Sequence, residues 1–172
     1  MLDLAIKYEQ ELQLKFTDLW MNDTYKFFYN YSYRDKYKAK ESTWTDHEFV
    51  SRDKDGKLLG YLAYSIDREL YSAKSLRIIN FYNDANMVFV KDLQKFLSDI
   101  FERFGFNKLS YSVVIGNPIE KSYDRMTHKY GGRIVGVNRN EVLLSDGTLN
   151  DLKLYEILKE DYNFMKTRRD AK

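Results

Sequence analysis

The chain has 172 residues, 44% of them hydrophobic, enough for one domain with a substantial core and short for two. Its 28 basic and 26 acidic side chains leave a formal net charge of +2, with both signs scattered, so nothing marks a nucleic-acid-binding surface. The absence of cysteine excludes disulfides and a thiolate nucleophile, and two histidines, His47 and His128, fall short of a four-ligand zinc site.

No run approaches the ~20 apolar residues of a membrane span. The opening Met1-Leu2-Asp3 lacks the basic start and apolar core of a signal peptide, so a cytoplasmic location is expected. Aromatic residues make up 16%, and they are spread over the chain without alternating with Lys and Arg, which favours a tyrosine-rich core over a base-stacking platform.

Residues 1 to about 30 have helical spacing, with Leu4, Tyr8, Leu12, Phe16, Leu19 and Trp20 on one face and no Gly or Pro between them. Leu2, Leu4 and Ile6 also alternate, so the opening reads equally as a short strand. A second helix is expected from Asn22 or Asp23, either of which can cap it, carrying Tyr25, Phe28 and Tyr29 inward. Residues 31–45 are polar, rich in Lys and without a period, and read as a mobile surface loop.

From His47 the pattern is that of strands. Phe49 and Val50 lead into Asp53-Lys54-Asp55-Gly56-Lys57, whose Asp-Gly step signals a hairpin, and the return strand runs from Leu58 to Ile66. That strand should pair onward with a third, carrying Leu76, Ile78, Ile79 and Phe81. Leu93, Phe96, Leu97, Ile100, Phe101 and Phe104 then recur at helical spacing, and Gly105 sits where a left-handed residue stops the helix. Leu109, Tyr111, Val113, Val114 and Ile115 form the next strand, which a crossover of this length makes parallel to the strand at Leu76.

Asn117 and Pro118 open a helix that runs to about Tyr130, carries Ile119, Tyr123 and Met126 along one side, and ends at Gly131-Gly132. Ile134, Val135 and Val137 make a strand, Val142 to Leu144 a short one, Ser145 to Thr148 a turn, and Leu152 to Leu158 the last strand. The basic tail with Lys166, Arg168 and Arg169 reads as a frayed terminus.

This order describes an α/β domain of the α+β type, with a mixed sheet of about six to seven strands flanked by helices, and it resembles the GNAT acyltransferase superfamily. Asp55-Gly56-Lys57-Leu58-Leu59-Gly60-Tyr61-Leu62-Ala63 is similar to that family's hairpin, and Phe104-Gly105-Phe106-Asn107-Lys108-Leu109 to its helix-to-strand turn. Ile115-Gly116-Asn117-Pro118-Ile119 resembles the point where an Asn begins the next helix, and Gly131-Gly132-Arg133-Ile134-Val135-Gly136 the glycine motif after it. The similarity covers roughly residues 47–158. The whole of 1–172 then reads as one domain, with a substrate-side helical region over about 1–45 and a cofactor-binding core over about 47–158.

The resemblance implies transfer of an acetyl group from acetyl-coenzyme A to an amine by direct attack. The acceptor, a small molecule or a protein, is not specified, because the family takes specificity from the region that is residues 1–45 here. It implies two neighbouring parallel strands that splay apart around the pantetheine arm, the first running from Leu76 to Phe81, with Asn80, Phe81 and Tyr82 at its end. Amides at Phe81 and its neighbours would polarise the thioester carbonyl. The diphosphate would lie on Asn86, Met87, Val88, Phe89, Val90 and Lys91 at the start of the long helix, with Asn117 across the gap.

Two departures from the family pattern stand out. Its diphosphate loop reads Arg or Gln, two residues, Gly, one residue, then Gly or Ala, whereas Asp84-Ala85-Asn86-Met87-Val88-Phe89-Val90 contains no glycine. Its acid is a Tyr four residues before the glycine motif, and counting back from Gly131 or Gly132 gives Thr127 or His128. Tyr123, six residues after Asn117, is the tyrosine nearest the family position and is assigned as the acid, with a core-facing aromatic as its structural reading. Glu69, Asp67 and Asp84 are the carboxylates at strand ends from which a general base could come. The competing reading is a binding protein of the same fold without cofactor, its groove filled by Met87 to Val90. Monomer and homodimer are both compatible with the chain; no nucleic acid, membrane or metal partner is expected.

Overall fold

The computed structural model describes residues 1–20, 26–27, 37–82 and 86–171, with the side chain of Trp20 excepted. The expected second helix, with Asn22, Asp23, Tyr25, Phe28 and Tyr29, lies outside the described residues, as do 31–36, Asp84 and Ala85.

Both readings of the opening hold, one after the other. Leu2–Leu4 (β1) is a strand, Ala5–Tyr8 a 3-10 turn and Glu9–Trp20 the first α-helix (α1). Asp3 makes the switch, because its carboxylate accepts from the Leu4 N–H, the Lys7 ammonium and the Tyr8 hydroxyl. Of the expected helical face, Leu12 and Phe16 are buried, while Leu4 belongs to β1 and is exposed. The described part of the expected mobile loop is pinned rather than free. Tyr37 Oη and the Lys40 N–H both donate to Glu48 Oε2, and the Ala39 N–H donates to Glu9 Oε2.

Asp46–Arg52 (β2) and Leu58–Asp67 (β3) form the hairpin, whose turn is closed by Asp53 Oδ1 accepting from the N–H groups of Asp55 and Lys57. Gly56, at φ +90, supplies the left-handed residue. Ser72–Asn80 (β4) is antiparallel to β3. Met87–Glu102 (α2) buries Phe89, Phe96, Leu97, Ile100 and Phe101 and ends as expected, with Gly105 at φ +72 and the Phe106 N–H reaching back to Ile100 O. Lys108–Val114 (β5) is parallel to β4.

Glu120–Lys129 (α3) starts two residues later than expected, because Asn117, Pro118 and Ile119 form a turn in which Asn117 Oδ1 accepts from the Ile119 N–H. The two short strands expected at Ile134 and Val142 are one, Arg133–Leu143 (β6), kinked between Asn138 and Val142 where Asn140 has φ +52. Leu149–Leu158 (β7) follows. The tail is not frayed: Lys159–Asp170 (α4) is a helix, anchored by buried Tyr162 and by the Lys166–Glu102 ion pair at 2.9 Å.

The seven described strands lie in the order β1-β2-β3-β4-β5-β7-β6. Alternation along the inner strand β3 sorts its apolar residues from Tyr61 onward to two faces, and the irregularity opposite Ser51 and Arg52 places Leu58 on the Tyr61 side. Leu62, Tyr64 and Ile66 join the core under α2, α3 and α4, whereas Leu58, Tyr61 and Ala63 join the core under α1.

Candidate functional site

The site is a fork between β4 and β5. Their parallel pairing runs through Ser72 with Lys108, Ala73 with Leu109 and Lys74 with Ser110, and stops there. At the next residue, Ser75, the backbone is left-handed at φ +57, and the register between β3 and β4 shifts between Ala63 and Ser65. The extra residue is a bulge, which bends β4 at the point where it leaves β5. Beyond it β4 stays with β3 as far as Asn80, and β5 stays with β7 as far as Val114. The helices divide in the same way, with α2 on β2 and β3 and α3 on β5, β6 and β7.

The hydrogen-bond alternation decides what faces the opening. The Phe81 N–H donates to Leu59 O at 3.0 Å, so in this register the polar groups of Phe81, Ile79 and Arg77 turn toward β3. Those of Ile78 and Asn80 turn the other way, into the fork, beyond the end of the β4–β5 ladder. This corrects the expectation for Phe81, whose amide is engaged and points away from the gap.

At the far end of the fork, Asn80 Oδ1 accepts from the Tyr82 N–H, a local partner for a polar residue at a strand end. The Tyr82 ring carries the ammonium of Lys57 at 4.1 Å and that of Lys15 at 5.4 Å. Asn86 caps α2: its Oδ1 accepts from the N–H of Val88 at 2.9 Å and of Phe89 at 3.3 Å, and its C=O from that of Val90. Two donors that could meet an anion are thereby held by the protein's own carboxamide.

The glycine-free turn has a packing explanation. Phe89 is buried beneath the sheet, and its ring lies where a side chain on Gly60 would be, so Gly60 is the small residue that admits a large one. Met87 is 66% exposed and Val88 40%, Lys91 is exposed and Val90 half-buried. Met87 and Val88 therefore lie on the surface, and Phe89 belongs to the core.

On the other side of the fork, Asn117 shapes the turn into α3, and Glu120 Oε2 reaches back to the Gly116 N–H. Tyr123 is buried, edge-on to Tyr111 at 5.5 Å and to Tyr155 at 6.3 Å. Thr127, one turn on, is also buried, and its Oγ1 lies 2.6 Å from both Tyr111 Oη and Tyr123 O. Burial pushes the Tyr111 phenol up. Tyr155 Oη donates to Asp124 Oδ1, and burial, reinforced by that carboxylate, pushes its phenol up as well. His128 is exposed on the outer side of α3.

Of the carboxylates considered for a base, Asp67 and Glu69 lie at the paired end of β4, before the fork opens. Asp67 accepts from the Leu70 N–H and from Lys74, which together hold its carboxyl below the usual range. Among the described residues no group of His, Asp and Glu could hold a metal ion, and no helix is long and apolar enough to cross a membrane.

Sequence reasoning missed the Tyr111–Thr127 contact and the Gly60–Phe89 packing. The second carried a signal, a glycine inside a strand, which marks close approach of a neighbour. The first carried none, since α3 could have met β5 at several rotations.

No family model matches the chain, and no curated protein matches it in sequence. Solved structures do match in shape. Spermidine N-acetyltransferase from Vibrio cholerae, solved with CoA and spermine, superposes with a TM-score of 0.73 at 17% identity over 94% of this chain and 96% of that one. The spermidine/spermine N-acetyltransferase of the same organism with manganese ions gives 0.67 at 18% identity, covering 94% of each chain. Glutamate-to-glutamine mutant forms of that enzyme give 0.61 at 21% identity, over 72% of this chain and 70% of that one. At these identities the likeness shows the fold alone, a mixed sheet and helices arranged as in these solved structures.

Proposed function

We propose that the chain transfers an acetyl group from acetyl-coenzyme A to the nitrogen of an amine. The observation that carries the reading is the fork: a slot inside a sheet, bordered by the backbone groups of Ile78 and Asn80, which lie beyond the β4–β5 ladder and pair with no described strand on that side. Such groups suit an extended chain with amides of its own, which can add where a strand would otherwise lie. The pantetheine arm of coenzyme A is a chain of that kind. The similarly folded Vibrio cholerae enzyme, solved with CoA, supports the same reading.

Bound acetyl-coenzyme A would supply a thioester already activated toward amines. The amine nitrogen bonds to the acyl carbon, the carbon–sulfur bond breaks, and the leaving sulfur needs a proton. Tyr123 is assigned to provide it, and the attacking amine releases its own proton to water or to a carboxylate. Asn80 and Tyr82 would border the arm, with Phe81 shaping the strand end rather than donating. The first turn of α2, from Asn86 to Lys91, would hold the diphosphate on its amides, and the Lys91 ammonium would favour the negative charge. Asn86 must then turn its carboxamide away from Val88 and Phe89. Asn117 would set the opposite wall.

One observation favours a second reading, a non-catalytic binding protein of the same fold: the α2 amides are already capped by Asn86. Calorimetric titration with coenzyme A, together with a thiol-release assay using acetyl-coenzyme A and a panel of amines, separates the two. Saturable binding and amine-dependent thiol release are expected. No heat at millimolar ligand and no thiol from any amine would overturn the transferase reading and leave the second.

A further inference from the structure

We infer that Tyr111 and Thr127 form a positioning pair that fixes Tyr123 against β5, beside the point where β4 and β5 part. The inference rests on the acyl-transfer reading above. Tyr111 is the first residue of β5 beyond its last bridge to β4, so it stands where the strands part. Its side chain passes under α3, and its hydroxyl meets that of Thr127 at 2.6 Å. Thr127 Oγ1 also lies 2.6 Å from Tyr123 O.

A threonine hydroxyl has one proton, and the carbonyl of Tyr123 can only accept. The proton of Thr127 therefore goes to that carbonyl, and Tyr111 donates to the lone pair that remains. The chain runs from Tyr111 Oη–H to Thr127 Oγ1 and from Thr127 Oγ1–H to Tyr123 O. Tyr111 also meets the Tyr123 ring edge-on, at 5.5 Å and 84°. One strand residue thus acts on Tyr123 twice, through its backbone and through its ring.

Packing alone does not require this arrangement. Tyr111 and Thr127 are 4% and 3% exposed, and Phe and Val would fill nearly the same volume with no buried hydroxyl to satisfy. The hydroxyls add direction: they fix the rotation of α3 against β5 at the turn that carries Tyr123. Tyr111 is itself held flat against Tyr155, at 5.1 Å and 15°, and Tyr155 grips the same helix through Asp124.

The test compares wild type, Tyr111→Phe, Thr127→Val, Thr127→Ser, the Tyr111→Phe/Thr127→Val double variant and Tyr123→Phe by steady-state acetyl transfer, with an unfolding midpoint for each. Losing one neutral hydrogen bond felt only at the reacting centre lowers kcat about tenfold and leaves KM for acetyl-coenzyme A unchanged. Tyr111→Phe and Thr127→Val should each show this, the double variant should be no slower than either, and Thr127→Ser should recover wild-type kcat. Tyr123→Phe should be slower than all of them. Wild-type kcat in Tyr111→Phe or in Tyr123→Phe, additive losses, or no recovery in Thr127→Ser would overturn the pair. If Thr127→Val does not fold, Tyr111→Phe decides. A wild type that transfers no acetyl group overturns the acyl-transfer reading itself, a different outcome from an active wild type with an indifferent Tyr111→Phe.

Discussion

The two sides of β4 obey different rules. Toward β3 it is paired from Ser72 to Asn80, in a region where β3 is buried on both faces; toward β5 it is paired only from Ser72 to Lys74. On the closed side, interlocked apolar side chains above and below fix the register. On the open side, the Ser75 bulge turns β4 away while β7 supplies β5 with another partner. The opening is therefore built by strand pairing, not left over from poor packing, and disturbing each side should have a different signature.

The largest effect should come from the closed side. Leu62→Ala, at a fully buried position of β3, should lower unfolding free energy by about 3 kcal/mol in urea titration. Ile78→Ala borders the fork and is only half-buried, so its loss should be about half as large. Equal losses at the two positions would mean that the fork is packed as tightly as the rest of the sheet. Gly60→Ala falls between the two, at about 2 kcal/mol, because the added methyl meets the Phe89 ring and the Ile79 carbonyl. Stability within a few tenths of wild type would show that the ring is free to move and that the first turn of α2 is loosely seated.

The closed side was also the legible one. The apolar spacing of Phe96, Leu97, Ile100 and Phe101, the Asp55-Gly56 turn and the stop at Gly105 are local signals with a single structural answer, and the structure follows them. The parallel pairing of β4 and β5 came from crossover length, and their splaying from family resemblance. What could not be read was which backbone groups would face the gap. That depends on the bulge at Ser75, and a serine does not announce a left-handed backbone. The same holds for α4, where Tyr162 docks a segment whose charge alone suggested a loose end.

Asn86 offers a smaller and sharper test, because it stands at the end of the fork and belongs to both descriptions. Asn86→Ala removes the cap from Val88 and Phe89 and should reduce stability by about 1 kcal/mol. On the proposed function it should also tighten coenzyme A binding, since the freed amides no longer have to be vacated. Weaker binding in calorimetry would mean that the carboxamide itself contacts the cofactor, and that the cap is a ligand rather than a competitor.

The smallest effect expected concerns pH and returns to the closed side. His47 lies on β2 beneath the C-terminal end of α2, with its ring 4.4 Å from that of Phe104 and Nδ1 2.6 Å from Tyr64 Oη. Burial, and to a lesser degree the nearby charge of Arg68, holds its pKa below the usual value of 6.5. In the unfolded chain the imidazole takes up a proton as pH falls through about 6.5, while in the folded protein it resists doing so until lower pH. The unfolded state then binds more protons, so the stabilising contribution is present above pH 6.5 and is lost as pH falls below it. Urea midpoints measured from pH 7.5 down to 5 should therefore decline in wild type and stay flatter in His47→Gln. The carboxylates held low, such as Asp67 and Glu156, lose their contribution only at more acid pH. Equal slopes in the two proteins would place the titrating group elsewhere and leave His47 as a ring that packs but does not sense protons.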